Sequence, residues 1–387
     1  MSAAGPPQGA RPPGGERRGA PVGGDHASAT AAERLERRVA IDALPDYRER
    51  IDVRSPAEYA IDHIPGAASH PVLDNEERTR IGTMHACDSA FAARQAGAAI
   101  VARNIAAMLE GAFRDKPRDW APLVYCWRGG QRSRSLTHVL NEIGWRAVQL
   151  AGGYRAYRRN VVGLLATVPG RFDYRVVCGL TGSGKSRLIA ALADEGAQVL
   201  DLERIARHRG SLLGDLPVDP QPTQKAFESG LVAVLQQLEP TRPVYVESES
   251  KRIGTVQLPE SLLAAMRGAP CIRLELPRAL RIELLKAEYA HFLVDPAALA
   301  ARLLRLVPLH GKKAVEQWTD AAKAGDWDRV IAELLDLHYD PAYTRSIGRN
   351  FPRIADAVTV APAAATDDAF RALAREIDAE DRLRVTV

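Results

Sequence analysis

The sequence predicts an α/β protein built from two parallel-sheet units in series. Three observations carry this reading. The chain has 387 residues, more than the ~100 to 200 that one domain usually takes. From Val39 onward short apolar runs alternate with stretches of helical period, the pattern of parallel strands joined by crossover helices. The alternation is interrupted at Pro169 and Gly170 and restarts with an apolar strand that runs into a Gly-rich turn.

Residues 1–38 are rich in Gly, Pro, Ala and Arg. Such a segment buries too little apolar surface to offset chain entropy and is expected to be a disordered tail. The first unit, residues 39–168, has its clearest strands at Arg50 to Val53 and Leu123 to Cys126, with helices predicted over Ala90 to Phe113 and Ser133 to Ile143. Gly144 stops the second of these. The second unit, residues 169–350, opens with the strand Tyr174 to Cys178 and the helix Lys185 to Ala193. Further strands are predicted at Gln198 to Leu200, Pro243 to Glu247 and Cys271 to Leu276, as in a doubly wound sheet. Residues 351–387 read as an extension comprising a helix and a tail.

Composition narrows the function classes. Hydrophobic residues make up 46% and charged residues 26%, enough to build real cores. The net charge is only +4, from 52 Lys+Arg against 48 Asp+Glu, so binding of nucleic acid must rest on local clusters. Four cysteines, Cys87, Cys126, Cys178 and Cys271, are far apart with no CxxC pair, which argues against a zinc site and a disulfide framework. No apolar run approaches the ~18 residues of a membrane span, and the N-terminus lacks the apolar core of a signal peptide. A cytoplasmic protein without a membrane partner is expected.

Val124 to Ser133 reads VYCWRGGQRS. An apolar strand ends at Cys126, Gly129 and Gly130 follow, and Arg132 and Ser133 open a helix. Backbone N–H groups of such a loop form an anion cradle to which the guanidiniums of Arg128 and Arg132 add charge. The same field favours the nucleophilic thiolate of Cys126. The plainer alternative is a buried structural cysteine at a strand end.

Gly179 to Ser186, GLTGSGKS, fulfils G-x4-G-K-[ST] between a strand and a helix, which predicts a P-loop NTPase-like domain. Gly179, Thr181, Gly182, Ser183 and Gly184 supply a backbone wrap for a diphosphate. Lys185 neutralises its oxygens, and Ser186 is a candidate Mg2+ ligand. An acid is expected at the end of a later strand. Asp201, Glu203 and Glu247 are the candidates, with a strand cap as the plainer role of Glu247.

The thiol motif resembles the rhodanese family, and IDVRSPAEYAIDHIPGA (Ile51 to Ala67) resembles that family's other hallmark. The resemblance implies that Asp52 and Arg54 buttress the thiol loop and that His63 to Gly66 form a tight turn. The Cys-x5-Arg spacing from Cys126 to Arg132 equals that of cysteine phosphatases, the rival reading. A rhodanese-like domain followed by a P-loop domain is similar to the tRNA 2-selenouridine synthase family. Further stretches carry that similarity: LAGGYRAYR, DLERIARHRGS, QPTQKAFE, VESESKRIG and HYDPAYTRS. A Tyr-Lys-like pair that the family would place near Met84 and His85 is missing.

The resemblance implies a transferase that replaces the sulfur of wobble 2-thiouridine in tRNA by selenium from selenophosphate. The route passes through an S-geranyl intermediate made from geranyl diphosphate. It also implies a separate enzyme that supplies selenophosphate. The clusters Arg155/Arg158/Arg159, Arg204/Arg207/Arg209 and Lys312/Lys313 are candidate tRNA contacts, with Tyr154 and Tyr157 interleaved for stacking. Leu212, Leu213 and Leu216 are candidate walls for the geranyl tail, and Cys87 is a candidate resolving thiol for Cys126. Two other classes remain open at this point: an ATP- or GTP-dependent kinase or sulfurtransferase, and a non-enzymatic RNA-binding or persulfide-sensing module.

Overall fold

The computed structural model describes residues 37–216 and 219–385. Residues 1–36, most of the expected tail, lie outside the described residues. The first sheet comprises β1 (Arg38–Val39), β2 (Arg50–Asp52), β3 (Ala67–Ser69), β4 (Leu123–Tyr125) and β5 (Val148–Leu150), in the order β1-β5-β4-β2-β3. All neighbours are parallel. Apolar residues dominate the strands because helices cover both faces of such a sheet. Leu123, Val124 and Tyr125 of the central strand are fully buried.

The second sheet is also wholly parallel. It comprises β6 (Tyr174–Cys178), β7 (Gln198–Leu200) and β8 (Val244–Glu247). After a small hairpin, β9 (Arg252–Ile253) with β10 (Val256–Gln257), it adds β11 (Cys271–Leu274) and β12 (Val358–Val360). The order is β12-β11-β6-β8-β7. The closing segment, expected as a helix and tail, thus contributes an edge strand. Its helix Asp367–Val385 is fixed by Asp381, which accepts from Tyr245 Oη at 2.9 Å and Arg175 Nε at 3.1 Å. Among the described residues no helix is long and apolar enough to cross a membrane.

The central strands β4 and β6 end at Cys126 and the Gly-rich turn respectively, so both motifs emerge at carboxyl ends of parallel strands, where such sheets bind ligands. The helix after Cys126 begins at Gln131, two residues earlier than expected, because Gly130 serves as its N-cap. The helix from Ala90 ends at Glu110, short of Phe113, with Gly111 at its C-cap.

One apolar cluster runs through both units. It joins Tyr125, Leu150, Tyr157 and Val161 of the first to Tyr174, Phe227, Leu231 and Met266 of the second. Set into it is the carboxylate of Asp62, 1% exposed. One of its oxygens accepts from Tyr154 Oη at 2.7 Å and, across the boundary, from Ser229 Oγ at 3.0 Å. Beside it Thr223 Oγ1 donates to the Ile61 carbonyl, and Arg158 pairs with Glu228. Asp62→Ala leaves two buried hydroxyls without their acceptor and is expected to cost about 2 to 4 kcal/mol. The midpoint of urea unfolding measures this, and Asp62→Asn, which keeps an acceptor, should lose less.

Candidate thiol and phosphate sites

Cys126 Sγ lies inside its loop and accepts from Gly130 N–H and from Ser133 Oγ, each at 3.2 Å. Ser133 is held by Gln149 Nε2 at 2.7 Å, which also donates to the Gly130 carbonyl at 3.0 Å. The neighbouring GGY segment closes on this loop: Tyr154 N–H donates to the Cys126 carbonyl at 2.9 Å and Arg155 N–H to the Trp127 carbonyl at 3.0 Å. Gly153 has φ of +56°, and a Cβ there would collide with the Cys126 carbonyl oxygen. Only glycine permits that approach.

Asp52 and Arg54 form a buried pair, with Arg54 Nη2 at 2.6 Å from Asp52 Oδ2 and at 2.6 Å from the Asp62 carbonyl. The Arg54 guanidinium lies 4.0 Å from the centre of the Tyr154 ring. Arg132 is neutralised by Glu58, with its Nη1 2.6 Å from Glu58 Oε2. Arg128 is exposed. The polarity at Cys126 therefore comes from backbone and hydroxyl donors. Ile64 and Ala67 close the expected turn with a 2.9 Å bond, and Gly66 supplies a φ of +77°.

In the second unit, residues 179–184 link β6 to the helix Lys185–Asp194. Gly184 has φ of +85° and lies against the Phe370 ring, so the C-terminal helix supports the turn from beneath. Lys185 Nζ donates to the Gly179 carbonyl at 2.8 Å, and Gly179 N–H donates to Tyr343 Oη at 2.6 Å. Arg281 steadies the turn through Thr181 O at 2.9 Å while holding Asp340 through both guanidinium arms at 2.6 and 3.0 Å. Above the turn is a cavity of about 670 Å³ lined by Lys185, Ser186, Glu203, Arg209, Glu249 and Tyr343, among others.

Ser186 Oγ donates to Glu203 Oε2 at 2.5 Å. Burial raises the Glu203 carboxyl above its ordinary range, and burial together with repulsion from Glu203 pushes Glu249 up to about 8. Asp201 instead caps the helix Leu202–Ala206 through Arg204 N–H at 2.8 Å. Glu247 is fully buried and accepts from Leu202 N–H at 3.2 Å, with its other oxygen unpaired. Of the three candidate acids only Glu203 lines the cavity.

Residues 32–160 match the rhodanese-like domain family, and residues 172–301 match the family described as the tRNA 2-selenouridine synthase AAA domain. The chain is 34% identical over 269 residues to the tRNA 2-selenouridine synthase of Nitrosomonas europaea, covering 67% of each chain. It is 30% identical over 346 residues to that of Aeromonas salmonicida, covering 82% of this chain and 91% of the relative. With that of Bdellovibrio bacteriovorus it shares 34% over 340 residues, covering 77% and 89%. The chain belongs to the tRNA 2-selenouridine synthase family. The phosphatase alternative for the Cys126 loop falls away with this.

Within this tRNA 2-selenouridine synthase family member several expected residues lie elsewhere than their spacing implied. Tyr154 and Tyr157 are 2% and 4% exposed. They face inward with Val161 and Leu165 on the helix Gly153–Thr167 and are closed to a stacked base. Arg158 is taken by Glu228, whereas Arg155 and Arg159 are exposed beside Arg128. Arg209 lies in the phosphate cavity, 5.0 Å from the Tyr289 ring centre, while Arg207 pairs with Asp219 at 3.0 Å, Arg204 with Asp201 at 3.5 Å and Lys312 with Glu316 at 3.6 Å. Cys87 is an exposed free thiol on a surface cavity with Trp127. Among the described residues no three His, Cys, Asp or Glu side chains are grouped to hold a metal.

Sequence reasoning missed Glu58, Gln149, Arg281 and the role of Tyr343. HYDPAYTRS was a visible stretch, but nothing local says that its Tyr343 reaches Gly179, 164 positions away. Because Glu249 titrates near 8, it is uncharged below that pH and anionic above it. Binding of inorganic pyrophosphate without Mg2+ should therefore weaken as pH rises from 7 to 9, by about three- to tenfold for one linked proton. Isothermal titration compared with Glu249→Gln, whose profile should keep only the titration of pyrophosphate itself, measures it.

Proposed function

We propose that this chain acts on tRNA, exchanging the sulfur of wobble 2-thiouridine for selenium through an S-geranyl intermediate. It would use geranyl diphosphate and selenophosphate, the latter from a separate supplying enzyme. The observation that carries the reading is an apolar cavity of about 60 Å³ that shares walls with the phosphate cavity. The two share Thr181, Ser211, Leu285, Tyr289 and Tyr339, and the apolar one is walled by Leu213, Phe292, Leu299 and Leu334. A phosphate cradle flanked by apolar walls suits a diphosphate head with a prenyl tail, for which the apolar cavity would have to widen, better than a nucleotide's ribose and base. Leu212 lines the phosphate cavity and Leu216 lines neither.

In the first step the thiocarbonyl sulfur attacks C1 of the geranyl group, the C–O bond breaks, and diphosphate leaves with the bonding pair and takes up the proton that N3 of the base loses. Lys185, Arg209 and the backbone amides of the turn would hold the developing charge. Ser186 and Glu203 present hard oxygen donors and would share a Mg2+ with diphosphate oxygens. In the second step the selenium of selenophosphate adds at C2 and geranyl thiolate is expelled to leave as the thiol; water then cleaves the P–Se bond, phosphate leaves, and N3 regains its proton, with Cys126 serving this exchange in its cradle of donors.

Cys126→Ser is expected to abolish selenium incorporation and leave geranylation largely intact. Mass spectrometry of tRNA nucleosides decides this, and loss of both products would overturn the assignment of Cys126 to exchange alone.

Lys185→Ala should cut geranylation by ~2 to 4 kcal/mol of transition-state stabilisation, taking one oxyanion donor as the comparison, or about 30- to 1000-fold. Given tRNA that already carries the S-geranyl group, the same variant should still exchange it for selenium. Failure would place the P-loop in the second step.

A further inference from the structure

We infer that Trp127 is a stacking platform for a nucleobase of the RNA substrate, set directly beside Cys126. This rests on the tRNA reading above. Of the five tryptophans, Trp120 and Trp318 are buried, Trp145 and Trp327 are partly buried, and Trp127 is 37% exposed although it follows the central strand of the first sheet. Its inner face is not loose. The ring is stacked on Tyr154 with centroids 5.3 Å apart and planes 27° from parallel.

Tyr154 is itself immobilised from two sides. Its hydroxyl donates to Asp62 at 2.7 Å, and the Arg54 guanidinium lies 4.0 Å from its ring centre. The Trp127 carbonyl is pinned by Arg155 N–H at 3.0 Å. An ordered stack of Arg54, Tyr154 and Trp127 thus rises from the core and ends in an open indole. A side chain held in this way loses little further rotamer entropy on binding, which is what a preorganised platform requires.

The surroundings indicate what should lie on it. The ring lines two surface cavities, one of about 700 Å³ toward Glu58 and Cys87 and one of about 340 Å³ toward Arg128, Arg155 and Arg159. Lys225, from the first turn of the helix Gln224–Leu235 in the second unit, lines both. Among the described residues Arg128, Arg155, Arg159 and Lys225 form no ion pair with a carboxylate. An exposed aromatic face ringed by unpaired cations is the arrangement that binds single-stranded nucleic acid, with the base on the ring and its flanking phosphates on the cations. Consecutive Cα atoms are ~3.8 Å apart, so a base on Trp127 is held at the mouth of the Cys126 loop.

The test uses the full chain and an anticodon stem-loop carrying 2-thiouridine. Trp127→Ala should weaken binding about 5- to 160-fold, the range for loss of one base–aromatic stack, and Trp127→Phe should recover most of it. The slope of log affinity against log salt should be unchanged in Trp127→Ala, whereas Arg155→Ala should reduce it by about one phosphate contact. Binding should also quench a component of tryptophan fluorescence that Trp127→Phe lacks, a signal that a merely structural role would not produce. Thermal unfolding of the variants at the wild-type midpoint guards against misfolding. Equal affinity of wild type and Trp127→Ala, or quenching that persists in Trp127→Phe, overturns the platform alone. A wild-type chain that binds no tRNA overturns the tRNA reading and the platform with it.

Discussion

The two halves of this chain are locked by a buried carboxylate, and much else follows from where it lies. Asp62 follows the short helix Pro56–Ile61 and receives hydroxyls from Tyr154 of the first unit and Ser229 of the second. Buried polar groups that lose their hydrogen-bond partners are costly, so these partners cannot drift apart without stranding one another. Ser229 belongs to the helix that also carries Lys225 and Glu228, so the same contact sets Lys225 of the second unit beside the thiol loop. Tyr154, held from beneath, orients Trp127, and its backbone N–H holds the Cys126 carbonyl.

The two candidate sites solve the problem of binding anions in different ways. At Cys126 the donors are a backbone amide and a hydroxyl, while the nearby guanidinium of Arg132 is neutralised by Glu58. At the phosphate turn a lysine and Arg209 face a wall of carboxyls, Glu203, Glu249 and Glu288, that burial drives toward their neutral forms. Without a cation a neutral acid such as Glu249 can donate a hydrogen bond to phosphate where an ionised one would repel it, whereas Glu203 would ionise on taking a Mg2+. Tyr289 and Tyr339 line both this cavity and the smaller apolar one beside it, so the carboxyl wall is flanked by apolar surface.

Local pattern was sufficient wherever the signal is carried by neighbours in sequence. The strand Tyr174–Cys178 and the turn into Lys185 were legible because a run of apolar residues and a fixed glycine spacing are themselves local. So was the strand leading to Cys126, although it ends one residue sooner than expected, at Tyr125. What could not be read was the direction of side chains on amphipathic elements that pack against a distant partner. Tyr154 and Tyr157 looked like interleaved aromatics in a basic cluster, yet the helix turns them inward beside Val161 because the second unit offers apolar surface there.

The sequence by itself determined the two parallel units, their order, and the two loops that carry Cys126 and Lys185, because strand, turn and helix signals act over a few residues. Tertiary structure decided which charges are free. Arg132, Arg158 and Arg207 are spent on Glu58, Glu228 and Asp219, while Arg128, Arg155 and Lys225 stay open around Trp127. It likewise brought Tyr343 to Gly179 and Phe370 beneath Gly184, contacts across more than 150 positions. Such pairings depend on how sheets and helices close on one another, and Coulomb attraction over a few ångströms is felt only once they have closed.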